Sequence, residues 1–178
     1  MNKLLTLLFI ATFICVGTIS AVAQKDNFLK EYLERWEHSR TYLIALAEAM
    51  PESNYDYKPT PPEMTFAEQL MHIAEAMDWH AQTQITGKQQ HPKEYFSVKN
   101  KTKKEIIDVV NRTFDEATQV IREFDPSNYE VMLDYFGLTR TKRQMFLILA
   151  DHVTHHRGQM LVYLRLKGVE PPKYVTFQ

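Results

Sequence analysis

The chain has 178 residues, 44% of them hydrophobic and 24% charged, which is the size and balance of one domain with a substantial core. Lys plus Arg is 21 and Asp plus Glu is 22, a formal charge of -1 that offers no electrostatic footprint for nucleic acid. Only five glycines occur and none forms a Gly-rich phosphate loop, which moves nucleotide chemistry down the list; seven His, eight Met and a single Cys are the unusual counts.

Met1-Asn2-Lys3 precedes an apolar run from Leu4 to Ile19, and Ala21-Val22-Ala23 then supplies a small-x-small cleavage site before Gln24. Residues 1–23 therefore read as a secretory signal peptide. The alternative is an uncleaved anchor, but the apolar run is shorter than the roughly 20 residues of a spanning helix and no positive flank follows it. A lipoprotein site would need a small residue before Cys15, where Ile14 stands. The expected product is an exported, periplasmic or extracellular domain of residues 24–178. It has no cysteine, so disulfides and thiol nucleophiles drop out, and it has no membrane association after cleavage.

From Phe28 the positions Phe28, Leu29, Tyr32, Leu33, Trp36, Ser39, Leu43, Leu46, Ala47 and Met50 recur at three and four, one face of a first helix that Pro51 closes. The Pro-rich stretch from Pro51 to Met64 has no period and reads as a loop. Thr65-Phe66-Ala67-Glu68 is a capping box, in which the Thr hydroxyl accepts the N3 amide and the Glu side chain returns to the Thr amide. It opens a second helix expected from Phe66 to about Thr86, with Gly87 as the left-handed stop. Thr102-Lys103-Lys104-Glu105 opens a third helix that buries Ile106, Val110, Phe114, Ala117 and Ile121 and ends at Asp125-Pro126. The segment containing Tyr129, Met132, Leu133, Tyr135 and Phe136 is too apolar for a free linker and is expected to be a loop packed over one end of the domain. Thr141-Lys142-Arg143-Gln144 starts a fourth helix running to Lys167, before Gly168 and Pro171-Pro172. No strand period competes. The fold class is all-α, a four-helix bundle.

His152 and His156 are four residues apart on the fourth helix, so their imidazoles stack on one face, the spacing that lets a helix chelate one ion. Met145, Leu149 and Tyr163 share that stripe, so the pair points inward. Two stacked core histidines also have a plain explanation, in which each hydrogen-bonds a neighbour. His72 on the second helix, among Leu70, Ile73, Ala74 and Met77, shifts the balance toward a metal, because three inward histidines on two helices make a three-ligand site with an open position. If those helices are antiparallel, the levels match: His72 lies about 21 Å from the end of its helix and the His152/His156 midpoint about 20 Å from the start of its own. His155 is turned away from His156 by about 100° and is left out of the ligand set. His80, close to the face of His72, either lines the cavity or, the preferred reading, sits at its rim; His38 and His91 read as incidental. Asp151, Asp78 and Gln159 are candidate acceptors for imidazole N–H groups.

Thr65-Phe66-Ala67-Glu68-Gln69-Leu70-Met71-His72-Ile73-Ala74, Asp151-His152-Val153-Thr154-His155-His156-Arg157-Gly158-Gln159 and Tyr163-Leu164-Arg165-Leu166-Lys167-Gly168-Val169-Glu170-Pro171-Pro172 together resemble the DinB-like (YfiT-like) proteins. The resemblance covers essentially the whole mature chain. It implies a bundle of up-down-down-up topology, a dimeric assembly as in many members, and a divalent metal, Zn²⁺ or Ni²⁺, held by His72, His152 and His156. It implies no DNA binding, in agreement with the charge. Activities in the family range over thiol-dependent S-transferases, isomerases and metal-dependent hydrolases. A small-molecule substrate is implied without its class, and fold does not fix the reaction. Export removes the domain from cytosolic thiols, which disfavours the transferase and leaves a metal-dependent hydrolase, with a non-catalytic, metal-stabilised binding domain as the other alternative. Residues acting beyond the ligands are not legible in the sequence.

Overall fold

The computed structural model describes residues 27–174, so the expected signal peptide and its cleavage site lie outside the described residues. Helix α1 covers residues 27–49. Its apolar stripe is buried as expected from Tyr32 and Trp36 through Leu43, Leu46 and Ala47 to Met50, and the Trp36 indole N–H donates to Thr118 Oγ1 at 3.1 Å. Pro51 ends the helix in an extended conformation. The loop that follows is anchored by Tyr55, which is buried and donates its hydroxyl to Ala47 O at 2.8 Å.

Helix α2 runs Phe66–Asp78, and its orphan N–H groups are fully accounted for. Thr65 and Glu68 form the reciprocal capping box, while Phe66 N donates to Tyr57 O and Ala67 N to Tyr55 O, both at 2.9 Å. The helical path continues to Thr86 and stops at Gly87, whose φ of 75° is the left-handed conformation expected there. Its last eight residues, Trp79–Thr86, are wound as a π-helix, which the sequence pattern does not announce. Helix α3, Lys103–Glu123, and helix α4, Lys142–Leu166, begin with the other two capping boxes, at Thr102/Glu105 and Thr141/Gln144.

The segment between α3 and α4 departs from expectation. It is a β-hairpin, not a loop: β1 (Met132–Tyr135) pairs antiparallel with β2 (Leu138–Thr141), Met132 opposite Thr141 and Tyr135 opposite Leu138. Phe136 and Gly137 both have positive φ, 54° and 78°, the geometry of a two-residue turn whose twist suits paired strands. Only part of the segment caps the core. Tyr129 is buried against Phe28 and Phe124, whereas Met132, Phe136 and Leu138 are exposed.

Packing between helices fixes which levels meet. The first turn of α2 lies against the last turns of α4, with Phe66 beside Tyr163 and Gln69 bonded to Gln159. Tyr32 at the start of α1 donates to Phe146 O near the start of α4, and Ser39 accepts from Arg157 farther along both helices. Arg40 bonds Asn111 and Asp115 on α3, and Lys103 at the start of α3 reaches Met50 O at the end of α1. Arg157, next to His156 in the chain, thus serves packing between α1 and α4, since its guanidinium is buried, holds Ser39 and lies over the Tyr42 ring. Among the described residues no helix is long and apolar enough to cross a membrane.

Candidate metal centre

His72 on α2 and His152 and His156 on α4 converge in the bundle. Their ring centroids are 5.1 Å (His72–His152), 4.6 Å (His72–His156) and 4.6 Å (His152–His156) apart, and one nitrogen from each lies within 4.8 Å of the others. The i, i+4 spacing on α4 places two of them on one face, and the contact between the middle of α2 and the middle of α4 brings in the third.

The electrostatics favour neutral imidazoles. Burial, followed by the neighbouring His156, His72, His80 and His155, pushes His152 down to about 3. Burial, then His72 and His155, pushes His156 down to about 4. Burial also lowers His72, partly offset by Glu75. Neutral nitrogens carry the lone pairs that a cation needs, so ligands at this site are ready at neutral pH without losing protons. His152 Nε2 is buried and has no hydrogen-bond partner, a costly condition and the expected one for a lone pair reserved for an ion. A group of three imidazoles suits Zn²⁺ or Ni²⁺, so the residues present fit the metal that the sequence suggests.

One side chain outside the sequence-based expectations organises the site. Gln69, 1% exposed and one turn before His72, accepts at Oε1 from His156 Nδ1 at 2.7 Å. Its amide nitrogen donates to Gln159 Oε1 at 2.9 Å and to Tyr163 Oη at 3.3 Å, and Tyr163 donates to Met64 O at 2.9 Å. These bonds settle which end of the amide is oxygen and hence which nitrogen of His156 carries hydrogen: Nδ1 is the donor, leaving Nε2 as the free ligand atom. None of the three candidate acceptors bonds a ligating imidazole: Gln159 accepts from Gln69, Asp151 is exposed and Asp78 binds His91. A buried polar residue in register with the apolar stripe, three positions before a candidate ligand, was the available signal.

His80 is a correction. Expected at the rim, it is 2% exposed, donates from Nδ1 to Ala76 O at 2.7 Å, and accepts at Nε2 from the Tyr135 hydroxyl at 3.2 Å. Its ring lies 6.1 Å from that of His152. The π-helical segment sets Trp79 beside His80, and the hairpin folds Tyr135 and Phe136 over the Trp79 ring at 5.7 and 5.3 Å, so the hairpin walls this side of the centre. His155 is exposed, meets Gln159 and the edge of His156, and is not among the three grouped histidines. On the opposite side His72 faces an open groove lined by Glu68, Met71, Glu75, Lys93, Glu94 and Phe96. A separate cleft between α1 and α4, of about 360 Å³, does not touch the three histidines.

The model of the DinB superfamily matches residues 35–160, a span that runs from α1 into α4 and includes all three histidines. The chain belongs to that superfamily. Among solved structures, a DinB-like protein of Bacillus cereus ATCC 10987 is 19% identical with a TM-score of 0.69, covering 81% of this chain and 95% of its own. A DinB-like protein of Bacillus subtilis is 22% identical with a TM-score of 0.65, covering 81% and 96%. At these identities the likeness is one of fold. The comparison with curated proteins gives no match.

Proposed function

We propose that this chain is an exported, metal-dependent hydrolase in which His72, His152 and His156 hold a divalent ion, Zn²⁺ or Ni²⁺. The observation that carries the reading is His152 Nε2, buried and without a partner beside two further neutral imidazoles. A bound ion of this class lowers the pKa of bound water and polarises a substrate oxygen. The protein's own part is positional. Gln69 fixes the His156 ring, and the Tyr135 wall keeps solvent from the His80 side. The groove beside His72 is the way in for a small-molecule substrate. Two glutamates of α2 line that groove; Glu68 is occupied with the Thr65 cap, and Glu75, whose charge acts on His72, is the carboxylate suited to take a proton.

The same reading takes residues 1–23 as a cleaved signal and the bundle order as up-down-down-up. The helix pairings support that order, since Phe66 meets Tyr163 while Tyr32 meets Phe146 and Lys103 meets Met50. The test is metal-loaded protein on a panel of esters, amides and lactones, with and without added thiol, beside His152→Ala and Glu75→Gln. Turnover that needs the metal, is lost in His152→Ala and is unchanged by thiol supports the hydrolase. Turnover only with thiol assigns a transferase, and none on any substrate assigns a binding domain.

A further inference from the structure

We propose that Asp78, His91 and Glu116 form a second divalent-cation site, built from residues that the three-histidine centre does not use. Asp78 is the last residue of α2, His91 lies in the connection after Gly87, and Glu116 is on α3. One ligand atom from each lies within 4.8 Å of the other two.

Asp78 alone has a structural explanation. Its side chain is 1% exposed, and a buried carboxylate must be compensated. His91 does this twice, with its backbone N–H donating to Oδ2 at 2.7 Å and Nδ1 lying 3.2 Å from Oδ1. That pins the connection to the end of α2. It does not explain Glu116, whose Oε2 is buried, lacks a hydrogen-bond partner and lies 3.8 Å from the same Nδ1. One imidazole nitrogen carries at most one proton, and the closer Asp78 oxygen takes it. Two carboxylates converging on one nitrogen therefore leave a surplus of negative charge and an unused acceptor.

The unpartnered atoms point the same way. Among the described residues four buried side-chain polar atoms have no hydrogen-bond partner. One is His152 Nε2, at the first centre. The others belong to Glu116, to Gln90, which precedes His91, and to Tyr95, whose ring stacks on His91 at 4.5 Å. The feature that marks the first centre thus recurs at two residues in contact with His91, Glu116 and Tyr95. The geometry is close to what an ion requires: bonds of 2.0–2.1 Å in a tetrahedron separate ligand atoms by about 3.3 Å. The Asp78–His91 pair, at 3.2 Å, is already there, and Glu116 is about 0.5 Å too far, a shift within reach of a side chain that keeps 31% of its surface in solvent. Two carboxylates balance a dication, and the imidazole selects a borderline ion such as Zn²⁺ over Ca²⁺ or Mg²⁺. The competing occupant is a proton, which would make His91 an imidazolium between the two acids.

The probe is Zn²⁺ itself. The stripped protein is dialysed against micromolar Zn²⁺ and bound metal is counted by elemental analysis in wild type, Glu116→Gln, His91→Gln and His72→Ala/His152→Ala, with helicity checked by circular dichroism. Two equivalents in wild type, falling to one in Glu116→Gln and in His91→Gln, and one retained in the double histidine variant, are expected. That retained equivalent should raise the thermal midpoint of the double variant. One equivalent in wild type that neither Glu116→Gln nor His91→Gln removes overturns the proposal in favour of the proton, as does a second equivalent surviving both substitutions. Failure of the first centre gives a different pattern, metal unaffected by the double histidine substitution.

Discussion

Replacing Gln69 with leucine removes the one acceptor that fixes His156 and leaves three groups without their partner: His156 Nδ1, Gln159 Oε1 and Tyr163 Oη. Metal affinity should fall by about 10- to 100-fold, the usual effect of deleting the group that orients a ligating histidine, equivalent to about 1.4–2.8 kcal/mol. The metal-free fold should lose about 1–3 kcal/mol as well, because Gln69 is buried and its bonds to His156 and Gln159 are lost together. Gln69→Glu separates the two effects: a carboxylate still accepts from His156 but cannot donate to Gln159. That variant should keep most of the metal affinity while losing stability. Competition for Zn²⁺ against a chromophoric chelator gives the first quantity and urea unfolding of the stripped protein the second. Leucine and wild type agreeing in affinity within a factor of two would refute the positioning role, whatever happened to stability.

Acidification should weaken the stripped fold. His152 and His156 titrate at about 3 and 4 in the folded chain against 6.5 as model groups. Below pH 6.5 the unfolded chain therefore takes up protons that the folded chain refuses, and stability present above that value is lost as pH falls toward 4. The slope is up to about 1.4 kcal/mol per pH unit for each imidazole held neutral, read from urea midpoints between pH 7 and 5, and a flat profile would contradict it. Thr65→Ala breaks a complete capping box and should cost about 1 kcal/mol in the same assay. Gly137→Ala meets no atom within 4 Å but forces a side chain into positive φ, so a loss of about 1–2 kcal/mol would arise from conformation alone.

Much of the architecture was legible because local chemistry and tertiary contact agree. Each of the three Thr-initiated boxes is fully formed, and Gly87 and Gly168 both adopt positive φ at the ends anticipated for them. The three histidines were legible for a related reason: helical spacing fixes the face of each, and the apolar stripe tells which face is inward. What escaped depends on contacts that spacing does not encode. The π winding over Trp79–Thr86 occupies eight residues, too few for its period to stand apart from an α-helix, and it carries His80 inward. The hairpin strands have four residues each and turn on Phe136-Gly137, without the Asn-Gly or Asp-Gly pair that usually announces such a turn. His91 lies in a connection without period, which gives the sequence no face on which to place it. Its partners Asp78 and Glu116 come from two different helices, and only the folded chain brings them together. Gln69 carries no titratable group and acts only through the ring it holds, so nothing in its residue type marks it.

Anomalous diffraction at the zinc edge, from crystals of the Zn²⁺-loaded protein, is the most direct test of the three-histidine centre. The expected result is a peak bonded to nitrogens of His72, His152 and His156, with His156 contributing Nε2 while Nδ1 stays on Gln69. A fully loaded crystal with no peak among these three rings would contradict it and leave them as core histidines.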